Sequence, residues 1–351
     1  MAVAADLTSA RREVPDALAA IELYFQQGWT DGLPIVPPTE ERVRECLEYS
    51  GHEPTDVIGV VPYRNITITA EKVAINAVMA GCLPAYMPVV MAAVEAMADD
   101  AFNLHASMAS TAGAAPLVIV NGPVIQEIDL NSGDNVFGPG WRANATIGRA
   151  LRLVLMNVCW AQPGVMDKST LGHPGKYSYC IAENEADSSW QPLHVERGVP
   201  AELSAVTLFA AEAPAYVKND EANRPEQLGA SLVDTITRGT PRPGGHYALV
   251  ICPEHLNVYV RDGWSKADLR AYVAEHAKRT AASAKRAGWI VGEITPEDEA
   301  RELRWFSSPD QILVVVAGGK TSGTSAVIPP WAGAANSRPV TKGVGVCIDC
   351  E

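Results

Sequence analysis

Two cysteines in the first part of the chain could supply a sulfur nucleophile. Cys82 follows Gly81 between two predicted helices, and Cys180 lies further along in a polar, aromatic segment. A thiol near a helix N-terminus can have a lowered pKa and react as a thiolate, with His105 as a candidate base. The alternative is that each cysteine packs as a small buried residue and that His105 has a structural role.

The segment after Cys180 is dense in groups that transfer protons. Glu183, Glu185 and His194 follow it closely, and tyrosine and isoleucine alternate before them in the manner of a strand. This alternation predicts that Cys180 faces away from Tyr179. Carboxylates near a thiol and an imidazole could form an acid/base pair or a metal site. A polar, hydrogen-bonded loop is the other interpretation.

A predicted helix beginning after Trp141 could bind an anion. Arg142 and Asn144 lie in its first turn, and Thr146 shares a face with Arg142. The free N–H groups and the positive dipole end of such a helix favour a carboxylate-bearing substrate. The competing interpretation is a helix packed closely on a sheet, with Arg142 in an ion pair.

The end of the chain carries Cys347 and Cys350 in a Cys-x-x-Cys pattern. This spacing suits a dithiol/disulfide couple or a soft metal, so Cu and Zn are the candidate cofactors. An incidental pair of cysteines is the alternative. The sequence supports no nicotinamide or flavin site, because no Gly-x-Gly-x-x-Gly motif follows a predicted strand.

Composition limits the classes of function. The chain has 351 residues, of which 47% are hydrophobic, and its net charge is −13 with dispersed Lys and Arg. Clustered cations are absent, so neither nucleic acid nor an anionic membrane is an expected partner. No apolar stretch is long enough to span a bilayer. Seven cysteines and an N-terminus without an apolar signal segment lead us to expect a cytoplasmic protein.

Strands that alternate with helices predict an α/β fold with two lobes, each a mixed or parallel sheet flanked by helices. We expect a site-bearing domain at residues 1–220, with an N-terminal helix and an extended loop. A smaller α/β domain at 221–342 and a Cys-x-x-Cys tail at 343–351 would follow. One helix is expected at Lys266–Lys285.

Three segments share the form of an apolar strand that ends in a turn of small or polar residues: LVIVNGP, ALVICPEH and LVVVAGGK. Ligand sites gather at such strand ends in open α/β sheets. Cys252 and His255 at the second end could bind a metal, but Pro253 favours a structural turn. Gly318, Gly319 and Lys320 at the third could contact an anion or form a tight turn.

Long strings of the sequence resemble a bacterial family that accompanies small Sec-Gly-Ser-Cys (seleno)proteins related to glycine reductase component B. The strings are WTDGLPIVPPTEER (29–42), AVMAGC (77–82), FNLH (102–105), APLVIVNGP (115–123), FGPGWRANATIGRALR (137–152) and the segments 176–185 and 192–198. The resemblance covers residues 25–342, but the Sec-Gly-Ser-Cys motif itself is absent from this chain. It implies a small thiol or selenol protein as a partner. It also implies functional roles for Asp31, Cys82, His105, Arg142, Asn144, Cys180, Glu183, Glu185 and His194.

These observations together predict a thiol-dependent enzyme, a lyase or an oxidoreductase. It would cleave or form a carbon–heteroatom bond, with carbon–sulfur the expected one, in a small carboxylate-bearing molecule. The expected catalytic residues are Cys82, His105, Cys180, Glu183, Glu185 and His194. The expected substrate-binding residues are Asp31, Arg142, Asn144 and Thr146, and Cys347 with Cys350 would reset or load the site.

Two other functions remain open at this point. The chain could be a metal-binding or redox partner subunit whose cysteines hold Cu or Zn. It could also be a scaffold that positions a small thiol or selenol protein. We further expect the chain to form a homo-oligomer.

Overall fold

The computed structural model describes residues 6–242, 244–331 and 333–345, and it confirms a mixed α/β fold. The helices are α1 (Ala17–Gln27), α2 (Glu40–Ser50), α3 (Ala70–Ala80), α4 (Met87–Ala98), α5 (Leu104–Met108), α6 (Val124–Glu127), α7 (Arg142–Asn157), α8 (Leu193–Glu196), α9 (Pro225–Thr237), α10 (Pro253–Arg261), α11 (Lys266–His276), α12 (Ala281–Arg286) and α13 (Pro296–Ala300). The strands are β1 (Val57–Val61), β2 (Ile66–Thr69), β3 (Ala115–Asn121), β4 (Cys180–Ala182), β5 (Ala205–Ala211), β6 (Ala215–Lys218), β7 (Tyr247–Ile251), β8 (Lys278–Thr280), β9 (Glu302–Arg304), β10 (Ile312–Val316), β11 (Thr324–Ile328) and β12 (Val340–Gly343).

Two four-stranded sheets repeat one arrangement. The first sheet has the order β12-β5-β3-β4, and the second has the order β6-β11-β7-β10. In each sheet a parallel pair at one edge, β3 with β4 or β7 with β10, is followed by two strands that pair antiparallel. The carboxyl ends of each parallel pair therefore meet at one edge of their sheet.

The halves of the chain exchange their last strands. β6 lies before residue 220 but pairs in the second sheet, whereas β12, near the C-terminal end of the described chain, pairs in the first. The sheets therefore do not follow the expected boundary at residue 220. Each half is completed by a strand of the other, so the two sheets belong to one interlocked body.

The two sheets pack face to face, with helices on both outer surfaces. Strand β3 shows the alternation: Leu117 and Ile119 pack toward the second sheet, and Val118 and Val120 pack toward the helices of the first. On the far side, the second sheet packs its other face against α9, α10 and α11. The order of layers is helices, sheet, sheet, helices.

The expected helix at Lys266–Lys285 is interrupted. Helix α11 ends at His276, residues 278–280 form β8 against β9, and α12 then begins. Thr280 caps α12 by accepting a hydrogen bond from the Ser283 amide at 3.1 Å, so the sequence carried a helix start inside the periodic stretch. Among the described residues, no helix is long and apolar enough to cross a membrane.

Helix α7 packs very closely on the residues just before strand β4. A Cβ atom at Gly148 would lie 2.4 Å from Ser178 Oγ and 2.6 Å from the Tyr179 amide nitrogen. Glycine is therefore required there. Among the described residues, close packing of this helix involves Gly148 but not Gly140, where a Cβ would meet nothing within 4 Å, and Arg142 Nε donates to a backbone carbonyl instead of forming the ion pair that this interpretation included.

Candidate active site

The expected catalytic residues of the segment after β4 converge on the end of β3. Because β3 and β4 are parallel neighbours, Asn121 at the end of one lies beside Glu183 after the other. Asn121 Nδ2 donates to Glu183 Oε2 at 2.7 Å and to Glu185 Oε1 at 2.8 Å. His194 Nδ1 lies 3.8 Å from the same Glu185 oxygen. We call Asn121, Glu183, Glu185 and His194 the carboxylate cluster.

Glu183 is the structural member of this cluster. Its carboxylate is buried and accepts hydrogen bonds from Lys266 Nζ at 3.1 Å and from the Leu193 amide at 2.7 Å. The Val316 amide, at the end of β10, donates to it at 3.4 Å. A buried carboxylate with this many donors holds the ends of both parallel pairs together and has little capacity left for a substrate.

Glu185 and His194 have unused hydrogen-bonding capacity. The Glu185 side chain is 26% exposed, and Oε1 is held by the Gly122 amide at 2.8 Å as well as by Asn121. Among the described residues, neither ring nitrogen of the buried His194 has a hydrogen-bond partner, and Asn121 Oδ1 also lacks one. Leaving such atoms unpaired costs about 1–3 kcal/mol each, so the cluster has the character of a site for a polar ligand.

The thiols expected to react, Cys82 and Cys180, lie in the helical core on the outer side of the first sheet and not in the carboxylate cluster. Cys180 packs among the helices while Tyr179 and Ile181 face the second sheet, which confirms the predicted alternation. Cys82 is buried in the same helical core. Burial raises the pKa of Cys82 to about 12 and also raises the pKa of Cys180. Both are neutral thiols at neutral pH, which disfavours the expected role of nucleophile.

The start of α7 is built mainly for the fold. The buried Asn144 accepts from the Asn131 amide at 2.8 Å and donates to the Asn131 carbonyl at 3.0 Å, so its amide holds the preceding loop and is not free for a substrate. Arg142 is exposed and donates from Nε to the Gly81 carbonyl at 3.0 Å. Thr146 Oγ1 donates to the Arg142 carbonyl at 2.8 Å.

Two other expected residues lie apart from the cluster. Asp31 is buried in a two-atom ion pair with Arg149 at 2.8 Å, and this hydrogen bond lowers the pKa of Asp31 although burial acts to raise it. His105 Nδ1 accepts from Arg64 Nε at 2.9 Å, at the turn between β1 and β2. The structure therefore does not bring His105 to Cys82 as its base. Cys347 and Cys350 lie outside the described residues.

A cleft of about 790 Å³ opens near Asp31. Within it, Asp167 Oδ2 binds Lys176 Nζ at 2.7 Å and Arg152 Nη2 at 3.0 Å. Burial acts to raise the pKa of Asp167. The hydrogen bonds from Lys176 and Ser169, together with the nearby positive charges, outweigh burial and lower this pKa to about 2. This charged wall was not anticipated, since nothing in the local spacing links the three residues.

The sequence favoured a structural turn over a metal site at Cys252 and His255. Cys252 follows β7 and caps α10, and His255 Nδ1 lies 2.7 Å from Ser325 Oγ. The signal was the Cys-Pro-Glu-His string at a strand end. Its partner Ser325 lies on β11 and could not be identified without the sheet topology.

The part of the chain that the structure describes contains no set of metal ligands. There, no group of three or more His, Cys, Asp or Glu side chains is arranged to hold a metal ion. The Cys-x-x-Cys pair on which that interpretation depended lies outside the described ranges.

No family model matches this chain, and no curated protein is significantly similar to it. The candidate site is therefore defined by the geometry of its own residues.

Proposed function

We propose that this protein is an enzyme that cleaves or forms a carbon–heteroatom bond in a small polar molecule by acid–base catalysis. Glu185 is the base and His194 the acid. One observation carries the proposal: the buried imidazole of His194, unpartnered among the described residues, lies beside a partly exposed carboxylate at the ends of two parallel strands.

The geometry supports a division of labour between the two side chains. Asn121 and the Gly122 amide hold Glu185 Oε1, which leaves Oε2 to take a proton from a substrate carbon. The electron pair of the broken C–H bond then forms a carbon–carbon double bond. His194, as the acid, gives a proton to the heteroatom, which leaves with the electron pair of its bond to carbon. Proton transfer of this kind contributes about 10²–10⁴-fold to a rate.

The proposal changes the role of sulfur in the reaction expected from the sequence. Cys82 and Cys180 contribute to the helical core, and the proton-transfer groups contribute the chemistry. Small carboxylate-bearing molecules with a thioether, amine or hydroxyl leaving group remain the substrates to screen first. We also propose membership of the family that the sequence resembles, with a small thiol or selenol protein as partner.

The test is a substrate screen with full-length protein, in which the released thiol, amine or water-elimination product is detected by mass spectrometry. On the first substrate found, we expect Glu185→Gln to lower turnover by about 10²–10⁴-fold, because the base is lost. Glu48→Gln, at an exposed position of α2, is the matched control and should retain wild-type turnover. Full activity of Glu185→Gln, with loss of activity in Cys82→Ala, would replace this proposal by the thiol mechanism.

A further inference from the structure

The second sheet has its own chemically equipped strand end. Cys252 follows β7 as Asn121 ends β3, each at the inner strand of a parallel pair. Cys252 is the N-cap of α10, a nine-residue helix, so the free amides of the first turn lie next to the cysteine. The positive end of a helix stabilises a negative sulfur.

Ser325 connects this cysteine to a histidine. Its Oγ lies 3.7 Å from Cys252 Sγ and 2.7 Å from His255 Nδ1, and it accepts from the Cys252 amide at 3.1 Å. His255 Nε2 lies 3.0 Å from the Asn219 carbonyl, an acceptor that requires a proton on Nε2. Nδ1 is then the atom that takes a proton. The thiol proton can pass to Ser325 while the hydroxyl proton passes to His255.

The pKa values of Cys252 and His255 are both shifted in the direction of the charge-separated pair. Although burial acts to raise it, the hydrogen bond and charge of His255 lower the pKa of Cys252. Burial acts to lower the pKa of His255, but Cys252 raises it, and the charge of Asp220 raises it further. Tyr259 on α10 is a further titratable neighbour of the thiol. By contrast, the pKa is raised for the other cysteines of the described chain, Cys46, Cys82, Cys159 and Cys180.

We propose that Cys252, Ser325 and His255 form a second reactive centre, a nucleophilic thiol site for a small, soft electrophile with a good leaving group. The sulfur forms a bond to the electrophilic atom, the leaving group departs with the electron pair of the bond that breaks, and the proton that the relay delivered stays on His255 Nδ1. Cys252 is 2% exposed, which restricts the substrate to a small molecule. A Cβ at Gly318 would lie 4.0 Å from Cys252 Cβ. A Cβ at Gly323 would lie 2.8 Å from His255 Nε2, so a side chain there would crowd the imidazole.

Iodoacetamide is the probe, because its carbon forms the new sulfur bond and iodide leaves. Full-length protein is labelled at pH 7, and the modification rate of each cysteine is read from its peptides by mass spectrometry. We expect Cys252 to react at least roughly tenfold faster than Cys82 and Cys159, whose thiols are neutral. Equal rates at the three cysteines would overturn the proposal. The labelling needs no enzyme turnover, so its outcome is independent of the acid–base proposal.

Variants test the relay itself. We expect His255→Gln and Ser325→Ala to slow labelling of Cys252 at pH 7 and to move its pH midpoint upward. Ser283→Ala, on α12, is the matched control and should label like wild type. The Cys82 rate in each variant reports on general opening of the fold. Unchanged labelling of Cys252 in both relay variants, with Cys82 still protected, would contradict the assignment.

Discussion

The two sheets place very different chemistry at equivalent strand ends. In the first, Asn121 and His194 keep atoms that no described residue satisfies. In the second, Ser325 and the Asn219 carbonyl occupy both ring nitrogens of His255. The strand arrangement is the same, so the fold fixes where polar groups collect, and the residues after each strand decide what they can do.

Both ion pairs and backbone hydrogen bonds join the two halves of the chain. Lys266, from the second half, is buried against Glu183 of the first, and the Gly318 amide donates to the Ser132 carbonyl at 2.9 Å. Ion pairs also join the halves at other places, between Arg270 and Glu196 and between Lys320 and Asp187. The first strand end therefore places the buried Glu183 carboxylate beside the partly exposed Glu185 carboxylate.

The largest expected effect separates His194 from the other histidines. We expect His194→Asn to lower turnover by about 10²–10⁴-fold, because the proton donor is removed while a side chain of similar size remains. Turnover on the screened substrate is the measurement. His276→Asn, exposed on α11, should match wild type. Equal activity of the two variants would remove His194 from the mechanism.

Glu183 should behave as a structural residue. Replacing it by Gln leaves the buried Lys266 without its closest counter-charge, and we expect the free energy of unfolding to fall by about 3 kcal/mol. Urea denaturation measures this change, with Glu48→Gln as a control within about 0.5 kcal/mol of wild type. A Glu183→Gln protein as stable as wild type would show that the two halves do not depend on this pair.

Acid should weaken the cleft of the first half specifically. Asp167 has a pKa of about 2 in the folded protein against an ordinary value of 3.8, so its contribution of ~2 kcal/mol is complete above pH 4 and lost as pH falls toward 2. We therefore expect Asp167→Asn to be less stable at pH 6 and to lose less stability between pH 4 and pH 2. Unfolding free energies across this range measure the effect, with exposed Asp234→Asn as control. Parallel curves for Asp167→Asn and wild type would contradict it.

The smallest effect concerns the core thiols. Cys82→Ala removes one buried sulfur, and we expect the free energy of unfolding to fall by about 1 kcal/mol with turnover unchanged. Paired stability and activity measurements decide this point. A variant that keeps its stability but loses turnover would return Cys82 to the active site.

Local patterns predicted the parts of the structure that depend on local chemistry. The alternation at Tyr179, Cys180 and Ile181 correctly placed the thiol on the opposite face of its strand. The crowding of Glu183, Glu185 and His194 in the sequence corresponds to one cluster in space. Short separations along an extended chain leave few alternatives for where such side chains meet.

The features that sequence patterns did not predict depend on strands and side chains that meet from distant parts of the chain. The pairing of β12 with β5, and of Ser325 with His255, depends on strand order, which no short string encodes. Reactivity of a thiol depends on burial and neighbouring charge, so Cys82 and Cys252 could not be ranked from sequence. His105 was expected near Cys82 because histidine is a common catalytic base. Its hydrogen-bond partner is instead Arg64, in the turn between β1 and β2.

If His194 serves a ligand and not the fold, the free energy of unfolding of His194→Leu will show it. The substitution replaces a buried side chain that lacks partners among the described residues by an apolar one of similar size. We predict a stability equal to wild type or up to about 1 kcal/mol higher. A loss of about 3 kcal/mol would show instead that the imidazole supports the structure and is not kept for a ligand.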